Sequence, residues 1–324
     1  MNNRLRVTAI GGGTGLATIL RALKNFPISL SAIVTMTDNG ASSGRLSREL
    51  GTLPPGDVRK CLAALANDEK LLTQLFEYRF QKGRGISGHS LGNLLLLALA
   101  DITGSFDLAV EQCSKILSIK GEVIPSTLEH VSIVARLKNG QMALGEVDIP
   151  VMGHRFGIEH LELLPPDAPA NPTATYFIRN ADVIIVGPGS LLTSVMPNFL
   201  IDEIAAAYNQ SEAFKLLISN VSTERGETEN FSVEDHIKAV RDHAPKTKFD
   251  AVLVNSKLVA VSDQEGRLGS IRNITTDAKK VLGAVVYAAD VIDEARPLYH
   301  DARKLAEVVW QIIARQEIPV KTSP

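Results

Sequence analysis

Along the chain, short apolar runs that end at glycines alternate with stretches of helical spacing. Residues 5–10 are apolar and stop at Gly11, and residues 17–25 then place Leu20 and Leu23 on one side of a helix. Residues 30–36 form a second apolar run, so the opening of the chain predicts a βαβ unit with parallel strands and a right-handed crossover. Residues 37–56 are dense in Gly, Ser, Asp and Pro and read as a long loop, which in a compact domain is more often functional than idle. Residues 57–66, 69–80, 90–102 and 106–117 read as helices covering the sheet. Residues 131–137 and 142–147 flank Asn139-Gly140, a hairpin signal, and the proline-rich stretch 151–172 reads as an irregular connection.

Strand and helix alternate again through 182–186, a helix from about Leu191, 214–219, a helix over 233–242, 251–254, and a final helix over 301–314. The pattern predicts an α/β fold with a doubly wound, mostly parallel sheet, helices on both faces and a small antiparallel β insertion. No repeat period, heptad pattern or low-complexity tract is visible, so a single domain over 1–324, with an inserted substructure at about 121–165, fits better than two.

Composition narrows the function classes. The longest aliphatic run, 94–100, is about a third of a bilayer span and reads as a buried helix, so no membrane insertion is expected. The residues before Gly11 lack a signal-peptide core, which leads to the expectation of a cytoplasmic protein. With 34 basic and 36 acidic residues the net charge is −2, and no overall field draws the chain onto nucleic acid. Any anion must therefore be captured locally. Cys61 and Cys113 have no CxxC spacing; they point to a reducing compartment and read as packing residues rather than metal ligands.

The glycine turns carry the candidate chemistry. Gly11, Gly12, Gly13, Thr14 and Gly15 stand between a strand and a helix, where glycines let backbone amides approach an anion at the helix N-terminus. The pattern is neither GxGxxG nor a P-loop, since Leu16 occupies the last glycine position and no lysine follows. Gly187-Pro188-Gly189-Ser190, followed by Thr193 and Ser194, repeats the logic after a second strand. Two such turns at the carboxyl ends of parallel strands suggest one diphosphate-sized ligand.

Asp38 lies at the end of the second strand, where it reads as a ligand contact or as an Asx-turn residue with Asn39 and Gly40. Ser42, Ser43 and Arg45 follow as hydroxyl and guanidinium donors suited to phosphate. Asp57 opens a helix as a cap or first-turn acid, with Arg59 just inside it. His89, Ser90 and Asn93 open another helix, and His89 reads equally as a ligand contact or a structural group. His154 and His160 lack carboxylates at a zinc-like spacing, and Leu192 breaks the nucleophile-elbow pattern around Ser190.

These residues, with 54–59, 89–93, Asn171-Pro172 and 187–197, resemble in order the CofD-like superfamily. The stretch 38–46, Asp-Asn-Gly-Ala-Ser-Ser-Gly-Arg-Leu, is similar to the YvcK-like branch, the gluconeogenesis factors, more than to the transferases. The resemblance implies a Rossmann-like fold, a homodimer, and a nucleotide site at the glycine turns that includes Asn171. It implies a UDP-sugar ligand and a role in cell shape and growth on gluconeogenic carbon. The transferase branch moves a phospholactyl group from a guanosine diphosphate carrier with a divalent metal. In that alternative Asp38 and Asp57 would hold Mg or position the acceptor. An NAD-binding oxidoreductase ranks behind both, for want of GxGxxG and of an evident hydride-transfer acid. Residues 222–231 resemble the family's segment after the next strand, and the resemblance leads to the expectation that they close over the ligand. The likeness lapses over 255–288, and Tyr299-His300-Asp301 stands where the family carries Arg before His-Asp.

Overall fold

The computed structural model describes residues 4–67, 70–259, 271–316 and 318. In chain order it begins β1 (Leu5–Gly11), α1 (Gly13–Leu23), β2 (Ile28–Val34), α2 (Ala41–Leu50), α3 (Gly56–Leu65), α4 (Lys70–Glu77), α5 (Leu91–Thr103) and α6 (Phe106–Ile116). The middle holds β3 (Glu122–Pro125), β4 (Ser132–Leu137), β5 (Met142–Leu144), α7 (Gly145–Phe156), β6 (Ile158–Leu164), α8 (Pro172–Asn180) and β7 (Val183–Val186). A π-helical turn, Leu191–Val195, leads into α9 (Met196–Phe199), α10 (Asp202–Gln210), β8 (Phe214–Ile218), α11 (Val233–His243) and β9 (Ala251–Asn255). The chain closes with β10 (Lys280–Val281), β11 (Ala284–Ala289), β12 (Ile292–Asp293), β13 (Arg296–His300) and α12 (Ala302–Ala314).

Eight strands form one sheet in the order β10-β11-β9-β8-β7-β1-β2-β3, and every neighbouring pair is parallel except β10 with β11. Helices cover it on both faces, as expected: α1 packs against α3 and α12, and α8 against α10. That double cover explains why β7 and β9 are apolar and buried without a break instead of alternating. From β1 the chain winds through β2 and β3 to one edge and later through β7, β8 and β9 toward the other. The order therefore reverses between β1 and β7, which is where open α/β sheets leave a crevice at their carboxyl ends.

Local chemistry sets the element ends. Ser90 caps α5 by accepting from the Asn93 amide, Ser232 and Asp235 form a reciprocal capping box on α11, and Asp301 accepts from Lys304 N at 2.8 Å. The expected hairpin is present, with β4 and β5 antiparallel about Asn139-Gly140 and Gly140 at φ 83°. Cys61 and Cys113 are buried in α3 and α6, and burial pushes both thiols up, that of Cys113 to about 12.

Three local readings change. The glycine-rich stretch 37–56 is not all loop, because residues 41–50 form α2, ended by left-handed Gly51. The second hairpin strand stops at Leu144, and α7 and β6 replace the irregular connection through residue 164. Pro150 sits early in α7, in its second turn, so proline density there did not preclude a helix. The strand Glu122–Pro125, unread in the sequence, pairs with β2 in the main sheet, and the separate three-stranded sheet β5-β4-β6 occupies 132–164. Glu69, the expected start of α4, lies outside the described residues.

Candidate functional site

The two glycine turns follow β1 and β7, the strands on either side of the reversal, and their backbones touch. A Cβ on Gly15 would lie 2.4 Å from the Pro188 carbonyl oxygen and 2.6 Å from Gly189 Cα, so only glycine permits this approach. Together they wall a cleft of about 220 Å³ lined by Gly12, Gly13, Thr14, Gly15, Gly189, Ser190 and Ser194 and also by Asn220, Ser222, Glu224 and His300. A larger hollow of about 700 Å³, rimmed by Arg4, Lys24 and Lys120, lies at the amino ends of β1 and β2, away from the strand ends where such folds bind ligands.

The first turn presents open donors. Gly12 is the cap residue of α1 and supplies no capping side chain. The Gly13 amide donates to Asp57 Oδ2 at 2.6 Å, while the Thr14 and Gly15 amides find no intramolecular acceptor among the described residues. With the positive end of the α1 dipole behind them, these amides suit an anion. Gly11 ends β1, its carbonyl taken by Thr35 N and Asn198 Nδ2.

The second turn is already filled. Gly187 N donates to Ile10 O, Gly189 N to Asn220 Oδ1, and Ser194 N to Ser190 O. Glu224 accepts from the Leu191 amide, and Glu227 accepts from the Leu192 and Thr193 amides and from the Ser190 and Thr193 hydroxyls. The amides that the sequence offered to a second phosphate thus hold the chain's own carboxylates. Burial raises both acids, and each lies in the other's field; Glu224 is pushed up to about 8.

Residues 222–231 carry these carboxylates and are docked on α7. Gly226 stands so close to Pro150 that a Cβ would fall 1.8 Å from its carbonyl oxygen. His154 Nδ1 bonds Glu229 Oε1 at 2.7 Å, and Arg225 donates to His154 Nε2 at 3.0 Å.

Beside the cleft lies an acidic group. Asp57, 2 % exposed, bonds Gly13 N through Oδ2 and pairs with Lys60 through Oδ1 at 2.8 Å. Asp38 makes an Asx turn, Oδ1 accepting from Gly40 N at 3.0 Å, and stands against Gly56 and Ser43 outside the glycine cleft. Burial and then Asp57 raise its carboxyl. Glu146 of α7 accepts from Thr37 Oγ1 and is raised well above its usual range by burial, Asp57 and Asp38. Asp57 is engaged by Lys60 and the Gly13 amide, Asp38 by the Gly40 amide and Glu146 by the Thr37 hydroxyl, and no group of three or more His, Cys, Asp or Glu among the described residues is arranged to hold a metal. This arrangement does not fit the divalent cation of the transferase branch.

The remaining expected residues fall into other places. Asn39, Ser42 and Arg45 line a separate depression with Arg48 and Arg79. Ser42 Oγ bonds His89 Nδ1 at 2.9 Å and accepts from Asn93 Nδ2, so these three share one buried network. Ser43 Oγ accepts from Gly56 N, Arg59 is buried with Nε unpartnered, and Asn171 caps α8 through Thr173 N. Sequence reasoning did not single out Lys60, Glu146, Asn220 or Glu227. Their only signal is spatial, except that Glu224 and Glu227 belong to the segment whose likeness suggested a closing loop.

His300 lines the cleft from β13. It is bonded to the Ser219 backbone, whose amide is already given to Leu253 O, so the Ser219 carbonyl accepts from the ring. Nε2 is buried with no partner among the described residues, and burial lowers the imidazole to about 4. The ring is neutral and Nε2 is a free acceptor.

A doubly wound sheet with paired glycine turns at its reversal defines an α/β protein with a glycine-walled cleft, and comparison with known proteins makes the class specific. Residues 7–292 match the family described as 2-phospho-L-lactate transferase CofD, and the chain belongs to that family. It is 41% identical to the gluconeogenesis factor of Halalkalibacterium halodurans, the match covering 94% of this chain and 95% of that one. It is 39% identical to the gluconeogenesis factor of Bacillus subtilis, over 97% and 99% of the two chains. A crystal structure of a protein from Bacillus halodurans superposes with a TM-score of 0.89 at 40% identity, covering 95% of this chain and 99% of that one. No helix among the described residues is long and apolar enough to cross a membrane.

Proposed function

We propose that this chain is a nucleotide-binding regulator that takes a UDP-sugar in the glycine cleft and acts in growth on gluconeogenic carbon and in cell shape. The observation that carries the reading is the pair of unpartnered amides, Thr14 and Gly15, at the uncapped start of α1. They offer a diphosphate two donors and a helix dipole without a lysine. The link to growth on gluconeogenic carbon is supported by the relatives named gluconeogenesis factor.

A second reading, transfer of a phosphorus-containing group, is favoured by the family description and by Asp38 and Asp57 beside the cleft. Asp57 would then accept a proton from an acceptor hydroxyl only after giving up Lys60 or Gly13 N. Calorimetric titration with UDP-glucose, repeated with magnesium and with a candidate acceptor alcohol, separates the two. Saturable binding without loss of the sugar nucleotide supports the regulator. Acceptor-dependent release of a nucleoside phosphate replaces it with the transferase, and no binding defeats both.

A further inference from the structure

We infer that two parts of the glycine cleft read different chemistry: the first turn takes phosphate, and the part of the lining that carries His300 Nε2 and the Glu224 carboxyl group takes sugar hydroxyls. The inference rests on the nucleotide reading above and adds an orientation to it. The second turn looks like a repeat of the first in sequence, yet its amides are closed to a phosphate. Gly187, Gly189, Leu191, Leu192, Thr193 and Ser194 all donate within the chain, two of the acceptors being carboxylates. A phosphate at that place would have to displace the Glu224 and Glu227 carboxyl groups from these amides and leave their buried oxygens without those partners. Nor are those carboxylates free to swing aside. Gly226 is wedged on Pro150, and Arg225 and Glu229 hold His154 from either side of it.

What the wall offers instead is acceptors. His300 Nε2 is a buried acceptor with no partner among the described residues, and such a lone pair is satisfied by a hydroxyl donor, not by an ionised phosphate oxygen. Glu224 shares the cleft with it, steadied by Asn220 Nδ2 at 3.2 Å. Raised to about 8, Glu224 is largely protonated in neutral solution, so it both donates and accepts while adding little charge near a diphosphate. Donor and acceptor side by side is the pattern a hydroxyl satisfies in both directions. The Ser190, Ser194 and Ser222 side chains complete the polar lining.

The test is calorimetry with three probes, namely pyrophosphate, UDP and UDP-glucose, on the wild type and on Glu224→Ala, Glu224→Gln, His300→Phe and His300→Asn. Thermal melts confirm that each variant folds, and the milder Gln and Asn variants stand in where Ala or Phe does not. The expected result is a loss of about tenfold or more for UDP-glucose, as for a deleted hydrogen bond in a closed site, with pyrophosphate affinity within about twofold. A loss confined to UDP-glucose assigns the wall to the sugar, and an equal loss for UDP assigns it to the ribose. Either supports the inference. If removing Glu224 instead strengthens pyrophosphate binding, the second turn is a latent phosphate site and the inference is overturned. Unchanged affinity for all three probes in folded variants overturns it as well, leaving the nucleotide reading intact. A wild type that binds none of the probes defeats that reading itself.

Discussion

The amide of Gly13 and the carboxylate of Asp57 are joined by a 2.6 Å hydrogen bond that ties the first glycine turn to the start of α3. Gly13 has φ +63°, a conformation that favours glycine, and it aims the amide at Asp57 instead of at the cleft. Asp57 is held from its other oxygen by Lys60. The turn is therefore pre-shaped by the protein, and the anion is left with the next two amides of α1.

Asp57→Ala should destabilise the fold by about 1–3 kcal/mol, because it strands a half-buried amide and leaves Lys60 without its acid. Asp57→Asn keeps an acceptor for Gly13 and should cost less. Urea unfolding at neutral pH gives both numbers, and an Ala variant as stable as wild type contradicts a structural role for this bond.

Gly15→Ala should push the two glycine turns apart, since its Cβ would fall 2.4 Å from the Pro188 carbonyl. Gly140→Ala is the control: φ is +83° there, but the added methyl meets nothing within 4 Å, so only backbone strain of about 1 kcal/mol is expected. Gly15→Ala should exceed that by about 1 kcal/mol or more and abolish UDP-glucose binding. Equal unfolding free energies for the two variants would count against the close apposition.

Glu224 makes stability depend on pH. Its folded value, about 8, lies above the ordinary 4.5, so the native state holds its proton longer than the unfolded chain. The contribution is fully present below about pH 4.5 and is lost as pH rises to about 8. The charged groups facing it are Glu227 on its own segment and His300 in the same cleft lining, the latter neutral over this range. Glu224→Gln removes that slope. Measured against wild type, its melting temperature should rise progressively from pH 5 to pH 8, and a constant difference across that range would refute the assignment.

The fold was legible because a parallel sheet covered on both faces writes itself as unbroken apolar runs, as in 183–186 and 251–255, and because glycines mark where such strands end. The helix α2 was hidden by its composition, since Ala41-Ser42-Ser43-Gly44 looks like a loop until Gly51 is seen to stop a helix. The first glycine turn could be placed from sequence. That the second is filled could not, because its occupants, Glu224 and Glu227, arrive from more than thirty residues away and carry no local motif. Likewise Glu146 reaches Asp57 only through the placement of α7, a helix the pattern 142–172 did not show.

Asp38 separates a turn former from a ligand contact. Its Oδ1 accepts from Gly40 N, and an asparagine Oδ1 keeps that bond, so Asp38→Asn should fold as wild type. The substitution removes one of the carboxylates that crowd Asp57 and Glu146, and burial with Asp57 raises the Asp38 carboxyl, so the change should slightly raise stability at pH 8 and do so less as the pH falls and Asp38 takes up its proton. Asp38 lies outside the glycine cleft, so pyrophosphate affinity should stay within about twofold of wild type. If the carboxylate receives a hydrogen bond from the nucleoside or an acceptor group, UDP-glucose affinity should fall by about tenfold in the same variant. Calorimetry with both probes decides the matter: a fall for UDP-glucose alone makes Asp38 a ligand contact, and unchanged affinity for both confines it to the Asx turn that its bond to Gly40 already displays.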